Sequence, residues 1–190
     1  MSNIIFQNVD KRFGEKIIFE DFNAVFESQK RYCIMAESGK GKSTLLNLIL
    51  GLQKPDKGVV KTDAKHISAV FQEDRLCEDF TPVANVIAVT GKSVKREAIV
   101  KLLAELGLSG NENEKVKNLS GGMKRRVALA RCLLAESEII LLDEPFKGLD
   151  EKNRESVIDV VDKYAFGKTL LVCTHDKQDA ELLKAEIFEL

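Results

Sequence analysis

The chain has 190 residues, of which 44% are hydrophobic and 31% are charged, and its formal net charge is −1. This length suits one globular domain over residues 1–190, which can bury roughly 70% of the surface of the unfolded chain. The near-neutral charge excludes a general electrostatic attraction to nucleic acid or to an anionic membrane. No apolar run approaches the roughly 20 residues that a membrane-spanning helix needs.

The cysteines and the first residues indicate a reducing compartment. Cys33, Cys77, Cys132 and Cys173 have no C-x-x-C spacing, and three of them stand among apolar neighbours. We therefore expect buried free thiols in the cytosol and no zinc site. Residues 1–7 lack the basic region and the long apolar stretch of a secretory signal, which agrees with a cytoplasmic protein.

The first part of the chain predicts short strands followed by a loop and a helix. Pro55 and Gly58 are suited to a turn, and Gly51 is suited to ending a helix. The predicted elements are strands at 3–9 and 21–27, a turn at 13–16, a strand at 31–35, a helix at 43–50, a turn at 54–58 and a strand at 66–71.

The second part begins with a change of character. Ile99, Leu102, Leu103 and Leu106 recur with helical spacing, which predicts a helical insertion over about 76–136. Residues 139–142 are continuously apolar, as in a strand that is buried on both faces of a parallel sheet. The other predicted elements are helices at 122–135, 151–164 and 177–184 and strands at 169–173 and 186–190.

Polar motifs follow four of the predicted strands. A glycine-rich loop follows residues 31–35, and Gln72, the pair Asp143-Glu144 and His175 each stand just after a later strand. In open parallel sheets, ligands bind at the carboxyl edge of the strands. We therefore expect the four motifs to converge on one site.

The glycine-rich loop matches the phosphate-binding pattern G-x-x-x-x-G-K-S/T, with Ala36 in place of the first glycine. Glycines let the backbone curl around phosphate oxygens, and the N–H groups at the start of the next helix attract the anion. An alanine at position 36 is tolerated if its φ is negative, which we expect. The predicted nucleotide-binding residues of the loop are Ser38, Gly39, Lys40, Gly41, Lys42, Ser43 and Thr44.

Two acidic residues follow the apolar strand at 139–142. The hydroxyl of Ser43 and the carboxylate of Asp143 are oxygen donors of the kind that Mg²⁺ prefers. Glu144 is placed to orient or deprotonate an attacking water, which is worth about 10²–10⁴-fold in rate. The sequence thus predicts binding of a nucleoside triphosphate with Mg²⁺ and its hydrolysis.

The order of these motifs resembles that of the ATP-binding-cassette (ABC) ATPases, and the resemblance extends from Phe13 to His175. The motifs that carry it are 38–44, Gln72, Leu-Ser-Gly-Gly at 119–122, Leu-Leu-Asp-Glu-Pro at 141–145, Gly-Leu-Asp at 148–150 and His175. It implies an α/β phosphate-loop NTPase fold with a mostly parallel core sheet, an N-terminal antiparallel β subdomain and a helical insertion. The implied cofactors are ATP and Mg²⁺.

The resemblance also implies residue roles. Phe13 would stack on adenine, although a core or turn phenylalanine is the alternative, and Gln72 would reach the metal and sense a membrane subunit. His175 would contact the γ-phosphate, and Asp150 would communicate between the two sites of a dimer. The implied catalytic residues are Glu144, His175, Gln72 and Lys42, and the implied metal ligands are Ser43, Gln72 and Asp143.

Residues Ser120, Gly121 and Gly122, here called the Ser-Gly-Gly turn, form the family signature. Serine is a good helix N-cap, and two glycines leave the helix start sterically bare, so its N–H groups can meet a phosphate from outside. In the family that phosphate belongs to ATP on the opposite subunit of a head-to-tail dimer. Met123 replaces the usual glutamine, and the basic run 124–126 is predicted to be a solvated helix face and not a nucleic-acid contact.

Three functions compete. The favoured one is the ATPase subunit of a membrane transporter, on the cytoplasmic face of the membrane, with permease subunits on separate chains and a second ATPase subunit. The alternatives are a soluble ABC ATPase acting on nucleic acid or ribosomes, and an unrelated phosphate-loop kinase or GTPase. Residues 71–76 and Met123 further resemble importers of the nitrate, sulfonate and taurine type.

Overall fold

The computed structural model describes residues 2–37 and 39–190, which form two β-sheets with helices packed around them. The first sheet is antiparallel and has the strand order β2-β1-β4. Its strands are β1 (Ile4–Phe13), β2 (Lys16–Phe26) and β4 (Lys57–Thr62). The predicted pair of N-terminal strands is confirmed, and both strands are longer than the sequence indicated.

The second sheet has five strands, and every neighbouring pair in it is parallel. In the order β5-β6-β7-β3-β8, they are β5 (Ile67–Val70), β6 (Ile139–Asp143), β7 (Thr169–Cys173), β3 (Arg31–Met35) and β8 (Glu186–Glu189). Every residue of β6 and β7 is buried, as expected for interior strands that are covered on both faces. The predicted α/β fold class is confirmed.

Helices connect these strands and cover both faces of the parallel sheet. They are α1 (Lys42–Ile49), α2 (Pro82–Thr90), α3 (Arg96–Glu105), a 3₁₀ helix (Val116–Asn118), α4 (Gly121–Leu134), α5 (Glu151–Tyr164) and α6 (Lys177–Leu183). Between β5 and β6, α2, α3 and α4 follow one another and contribute to one hydrophobic cluster. The bounds of α5 and β7 agree with the sequence prediction.

The strand β4 is absent from the sequence prediction, and the helix α2 is not predicted singly, although it lies within the predicted helical insertion. The strand β4 is rich in polar residues and owes its conformation to pairing with β1, where Ile4 lies opposite Thr62. A Cβ at Gly58 would lie 2.1 Å from the carbonyl oxygen of Asn8, so only glycine permits this approach of the two strands. The helix α2 begins at Pro82, after Thr81, whose hydroxyl accepts a hydrogen bond from the N–H of Ala84 at 3.1 Å.

The parallel sheet separates two hydrophobic cores. Ile140 and Leu142 of β6 belong to the core under α2, α3, α4 and α5, whereas Ile139 and Leu141 belong to the core shared with α1 and the antiparallel sheet. Because both faces of the strands are packed, the carboxyl ends of β3, β5, β6 and β7 are held at one edge of the molecule.

Three of the four cysteines are buried, as predicted: Cys33, Cys132 and Cys173, whereas Cys77 is exposed. All four are free thiols, and burial raises the pKa of Cys33 to about 12. Within residues 2–37 and 39–190, no helix combines the length and the apolar character that crossing a bilayer requires.

Candidate active site

The glycine-rich loop connects the end of β3 to the start of α1. Gly39 and Gly41 have φ values of 78° and 113°, and a Cβ at Gly41 would lie 2.7 Å from the side chain of Ile18. Ala36 does not take a positive φ, so its methyl group causes no backbone strain and the prediction for this position is confirmed. Ser38, which the sequence assigned to nucleotide binding, lies outside the described residues.

Two side chains tie this loop to its surroundings. The ammonium group of Lys42 donates to the carbonyl oxygens of Ala36 at 2.6 Å and Glu37 at 3.4 Å, so the loop curls around it. The hydroxyl of Ser43 donates to Oδ2 of Asp143 at 2.7 Å. The start of α1 and the end of β6 are therefore joined directly.

The donor set around Ser43 fits a magnesium ion. The hydroxyl of Ser43, the carboxylate of Asp143 and the side chain of Gln72 line the same cavity. Mg²⁺ prefers oxygen ligands and keeps several waters, so a hydroxyl and one carboxylate next to bound phosphates are sufficient. Asp143 is 5% exposed, and Ser43 is its hydrogen-bond partner at this point.

Glu144 follows Asp143 in an unusual backbone conformation. Its φ is 50°, and its N–H donates to the carbonyl oxygen of Cys173, the last residue of β7, at 2.9 Å. Its carboxylate Oε2 lies 3.0 Å from Nδ1 of His175. The Glu144 side chain is 18% exposed and that of His175 is 71% exposed, so a sheltered carboxylate is paired with an imidazole that faces solvent.

One cavity of about 620 Å³ brings the predicted site residues together at the carboxyl edge of the sheet. This volume is ample for a nucleotide-sized ligand. Among the predicted residues it is lined by Phe13, Gly39, Gly41, Lys42, Ser43, Thr44, Gln72, Asp143, Glu144 and His175. The expected convergence of four strand-end motifs is therefore what the fold produces.

Phe13 lies at the rim of this cavity, at the end of β1, and is 47% exposed. Of the two alternatives, a core phenylalanine is therefore wrong, whereas Phe13 does directly precede a turn at residues 14–15. Lys16 and Lys147 also line the cavity and were not singled out in the sequence. Both are single lysines near a turn, a signal too common to stand out without the fold. Lys16 donates to the carbonyl oxygen of Gly39 at 3.1 Å.

The Ser-Gly-Gly turn lies outside this cavity. The hydroxyl of Ser120 accepts a hydrogen bond from the N–H of Met123 at 3.3 Å, which makes Ser120 the N-cap of α4 as predicted. A Cβ at Gly121 or Gly122 would meet nothing within 4 Å, so this helix start is open. The Met123 side chain packs against the hydrophobic core.

Two other predicted residues, Asp150 and Lys40, are not among those that line the cavity. Asp150 is the N-cap of α5 and accepts hydrogen bonds from the backbone N–H of Asn153 at 3.0 Å and from its amide at 2.6 Å. These donors lower the pKa of Asp150. Lys40 points to Glu37, with 3.9 Å between the ammonium nitrogen and the carboxylate.

The prediction that the basic run 124–126 is a solvated helix face is wrong for Arg125. This arginine is 7% exposed, and its guanidinium donates to backbone carbonyl groups after β5 and after β6. Helical spacing contains a signal for this: positions three, four and seven residues further on, Ala128, Leu129 and Cys132, are all buried. A charge on that face must be paired with buried acceptors.

The fold and the cavity define a phosphate-loop nucleoside triphosphate-binding protein. A family model described as ABC transporter matches residues 19–147. The chain therefore belongs to the ABC transporter family, and it is an ABC ATPase.

Named relatives agree with this family. The chain is 36% identical to the Nod factor export ATP-binding protein I of Burkholderia lata, covering 95% of this chain and 65% of that protein. It is 32% identical to the ergothioneine transport ATP-binding protein EgtV of Helicobacter pylori, covering 98% and 96%. It is 35% identical to the aliphatic sulfonates import ATP-binding protein SsuB 2 of Paraburkholderia xenovorans, covering 95% and 74%.

Solved structures show the same fold. The ATP-binding cassette MJ0796, determined as a dimer in a post-hydrolysis state with ADP and Pi, superposes with a TM-score of 0.85 at 31% identity. The match covers 98% of this chain and 94% of that one. The predicted family and enzyme class are therefore confirmed.

Proposed function

We propose that the chain powers a membrane transporter by binding and hydrolysing ATP in a head-to-tail dimer. The observation that carries this proposal is the cavity in which the phosphate loop, Asp143, Glu144, Gln72 and His175 meet. The Ser-Gly-Gly turn supports the shared site, because its open helix start lies outside that cavity and is free to meet a phosphate held by a second subunit.

The residues around the cavity then divide the binding of ATP and Mg²⁺ between them. Phe13 stacks on the adenine ring, the loop residues 38–44 hold the phosphates, and Lys42 provides a positive charge to the β- and γ-phosphates. The neighbouring ligands Ser43, Asp143 and Gln72 hold Mg²⁺, which neutralises charge on the phosphates when it is bound. The ammonium group of Lys42 contacts the carbonyl oxygens of Ala36 and Glu37 in this structure, and phosphate oxygens would replace them when ATP binds.

Glu144 is the general base for the attacking water, and His175 is the group that keeps its carboxylate in place and contacts the γ-phosphate. The distance of 3.0 Å between Oε2 of Glu144 and Nδ1 of His175 is within hydrogen-bonding range. The backbone bond from Glu144 to Cys173 places the base between the ends of β6 and β7. Asp150, at the start of α5, communicates the state of one ATP site to the other site of the dimer.

The partners follow from this function. Permease subunits on separate chains contact the protein near Gln72, at the cytoplasmic face of the membrane, and they select the cargo. The named relatives include an exporter and an importer, so we assign no transport direction. The sulfonate-importing relative supports the resemblance of residues 71–76 and Met123 to that type of importer.

We also propose that residues 1–190 are one domain with a helical subdomain over about 76–136.

A Glu144→Gln variant tests the proposal. Glutamine keeps the shape of the side chain but cannot accept the proton, so we expect ATP turnover to fall by about 10²–10⁴-fold while ATP binding is kept. Phosphate release measures turnover, and size-exclusion chromatography with ATP should show a dimer that wild type does not accumulate. Glu155→Gln, an exposed substitution on α5, is the matched control. A Glu144→Gln protein that binds ATP and stays monomeric would remove the support for a shared site.

A further inference from the structure

The guanidinium group of Arg125 lies where three segments of the chain meet. Arg125 is in the second turn of α4, the helix that the Ser-Gly-Gly turn begins, and its side chain is 9% exposed. Its Nη1 donates to the backbone carbonyl of Phe71 and, at 3.5 Å, to that of Gln72. Nη1 also lies 3.1 Å from Oδ1 of Asp74. One arm of the guanidinium thus holds the segment that contains Gln72.

The other arm holds the segment that contains the proposed general base. Nη2 donates to the carbonyl of Asp143 and, at 3.0 Å, to that of Glu144. These two carbonyl groups flank the Cα of Glu144, whose φ is 50°. A non-glycine residue in this sparsely populated region keeps its conformation only where the surroundings fix it. Arg125 supplies that fixation from one side, and the bond to Cys173 supplies it from the other.

We propose that Arg125 is a positioning residue for ATP hydrolysis, which fixes Glu144 and Gln72 relative to the Ser-Gly-Gly turn. This inference rests on the proposed role of Glu144 as the base. A movement of α4 reaches both residues through one rigid, planar group. Arginine suits the position because its fork of donors serves two sets of carbonyl oxygens at once, which the single ammonium group of lysine cannot do.

The first test separates turnover from binding. In Arg125→Met we expect kcat for ATP to fall by about 10- to 100-fold, since a displacement of the base by about 1 Å has an effect of this size. The KM for ATP should rise by a smaller factor than kcat falls, because Arg125 bonds to the backbone of Gln72, Asp143 and Glu144 and, in the described residues, has no hydrogen bond to the phosphate loop. Arg131→Met is the matched control: it also lies on α4 and donates to Asp74 and Arg75, but not to Glu144.

The second test asks whether Arg125 acts through Glu144. In a Glu144→Gln background, adding Arg125→Met should lower the residual single-turnover rate by a clearly smaller factor than in wild type, because the base is already removed and only the contact with Gln72 is left to lose. An equal fold-loss in both backgrounds would mean that Arg125 affects the fold and not the base, and would overturn the inference. An unchanged kcat in Arg125→Met would overturn it as well.

Arg125→Lys covers the case in which the methionine variant does not fold. It keeps the charge and one arm of the contacts, so we expect a kcat between those of wild type and Arg125→Met, and a wild-type kcat would overturn the inference. Circular dichroism and binding of a fluorescent ATP analogue check the fold of each variant. Absence of ATP hydrolysis by the wild-type chain would instead count against the proposed function.

Discussion

At the scale of single residues, the site depends on contacts between side chains that are distant in the chain. Ser43 and Asp143 are 100 residues apart in the chain, but Oγ of Ser43 lies 2.7 Å from Oδ2 of Asp143. This hydrogen bond joins the phosphate loop to the acidic strand end. The hydroxyl is both a hydrogen-bond donor to Asp143 and a proposed metal ligand. Removing this hydroxyl should therefore weaken the binding of ATP with Mg²⁺ more than the binding of ATP without the metal.

A Ser43→Ala variant tests this at the metal. We expect the affinity for ATP in the presence of Mg²⁺ to fall by about tenfold or more, because one ligand and the contact that orients Asp143 are both lost. Titration with a fluorescent ATP analogue, with Mg²⁺ and with EDTA, measures the difference. The affinity in EDTA should remain that of wild type, as should both affinities of Ser156→Ala, an exposed serine on α5. An equal loss under the two conditions would rule out a metal role.

At the scale of elements, predictability follows local signals. The helix α5 has Asp150 as its N-cap, and β7 is a continuous apolar run, so the bounds of both were evident in the sequence. The helix α2 has a cap at Thr81 and a proline in its first turn, so its start was evident in the sequence although the prediction did not single it out. The strand β4 carries weak local signals and is fixed by pairing with β1. Arg125 shows the same limit, since a basic run suggests solvent unless the buried face of α4 is known.

The start of α4 allows a test in which stability and activity change in opposite directions. Gly122 is helical and a Cβ there would meet nothing within 4 Å, so Gly122→Ala should stabilise the monomer by about 0.5–1 kcal/mol. In the proposed dimer the added methyl group would crowd the partner's phosphate at this helix start, so we expect ATP-dependent dimerisation and turnover to fall. Urea denaturation and phosphate release measure the two effects. Gly107→Ala is unsuitable as a control, because its φ is 71°; an exposed helical substitution such as Ser156→Ala serves instead.

At the scale of the whole molecule, two cores on opposite faces of one sheet hold three thiols out of water. Burial raises the pKa of Cys132 to about 11 and that of Cys33 to about 12, and it also raises that of Cys173. A thiol whose pKa is raised by folding stabilises the folded state. This contribution is fully present at any pH below the pKa of the thiol in the unfolded chain, which is about 8.5. That contribution is lost as pH rises from there through the folded pKa.

Alkaline pH should therefore destabilise the folded protein. We expect the free energy of unfolding to decrease between pH 8.5 and 10.5, with Cys132 alone accounting for about 2 kcal/mol. Urea denaturation across this pH range checks it, because Cys132→Ala should show a shallower decline than wild type. Cys77→Ala, at an exposed position, should decline in parallel with wild type. Parallel slopes for all three proteins would contradict the effect.

The sequence by itself determined the fold class, the phosphate loop, the acidic strand end and the helix cap at Ser120. The loop, the strand end and the cap each depend on residues that are near one another in the chain, whereas the fold class followed from the order of motifs over residues 13–175. Only the tertiary structure decided that Phe13 is at the rim of the cavity, that Asp150 and Lys40 do not line it, and that Arg125 is buried between Gln72 and Glu144. The reason is physical: strand-end patterns predict that the four motifs share one edge of the sheet, but the burial and hydrogen-bond partners of single side chains depend on how distant segments pack there.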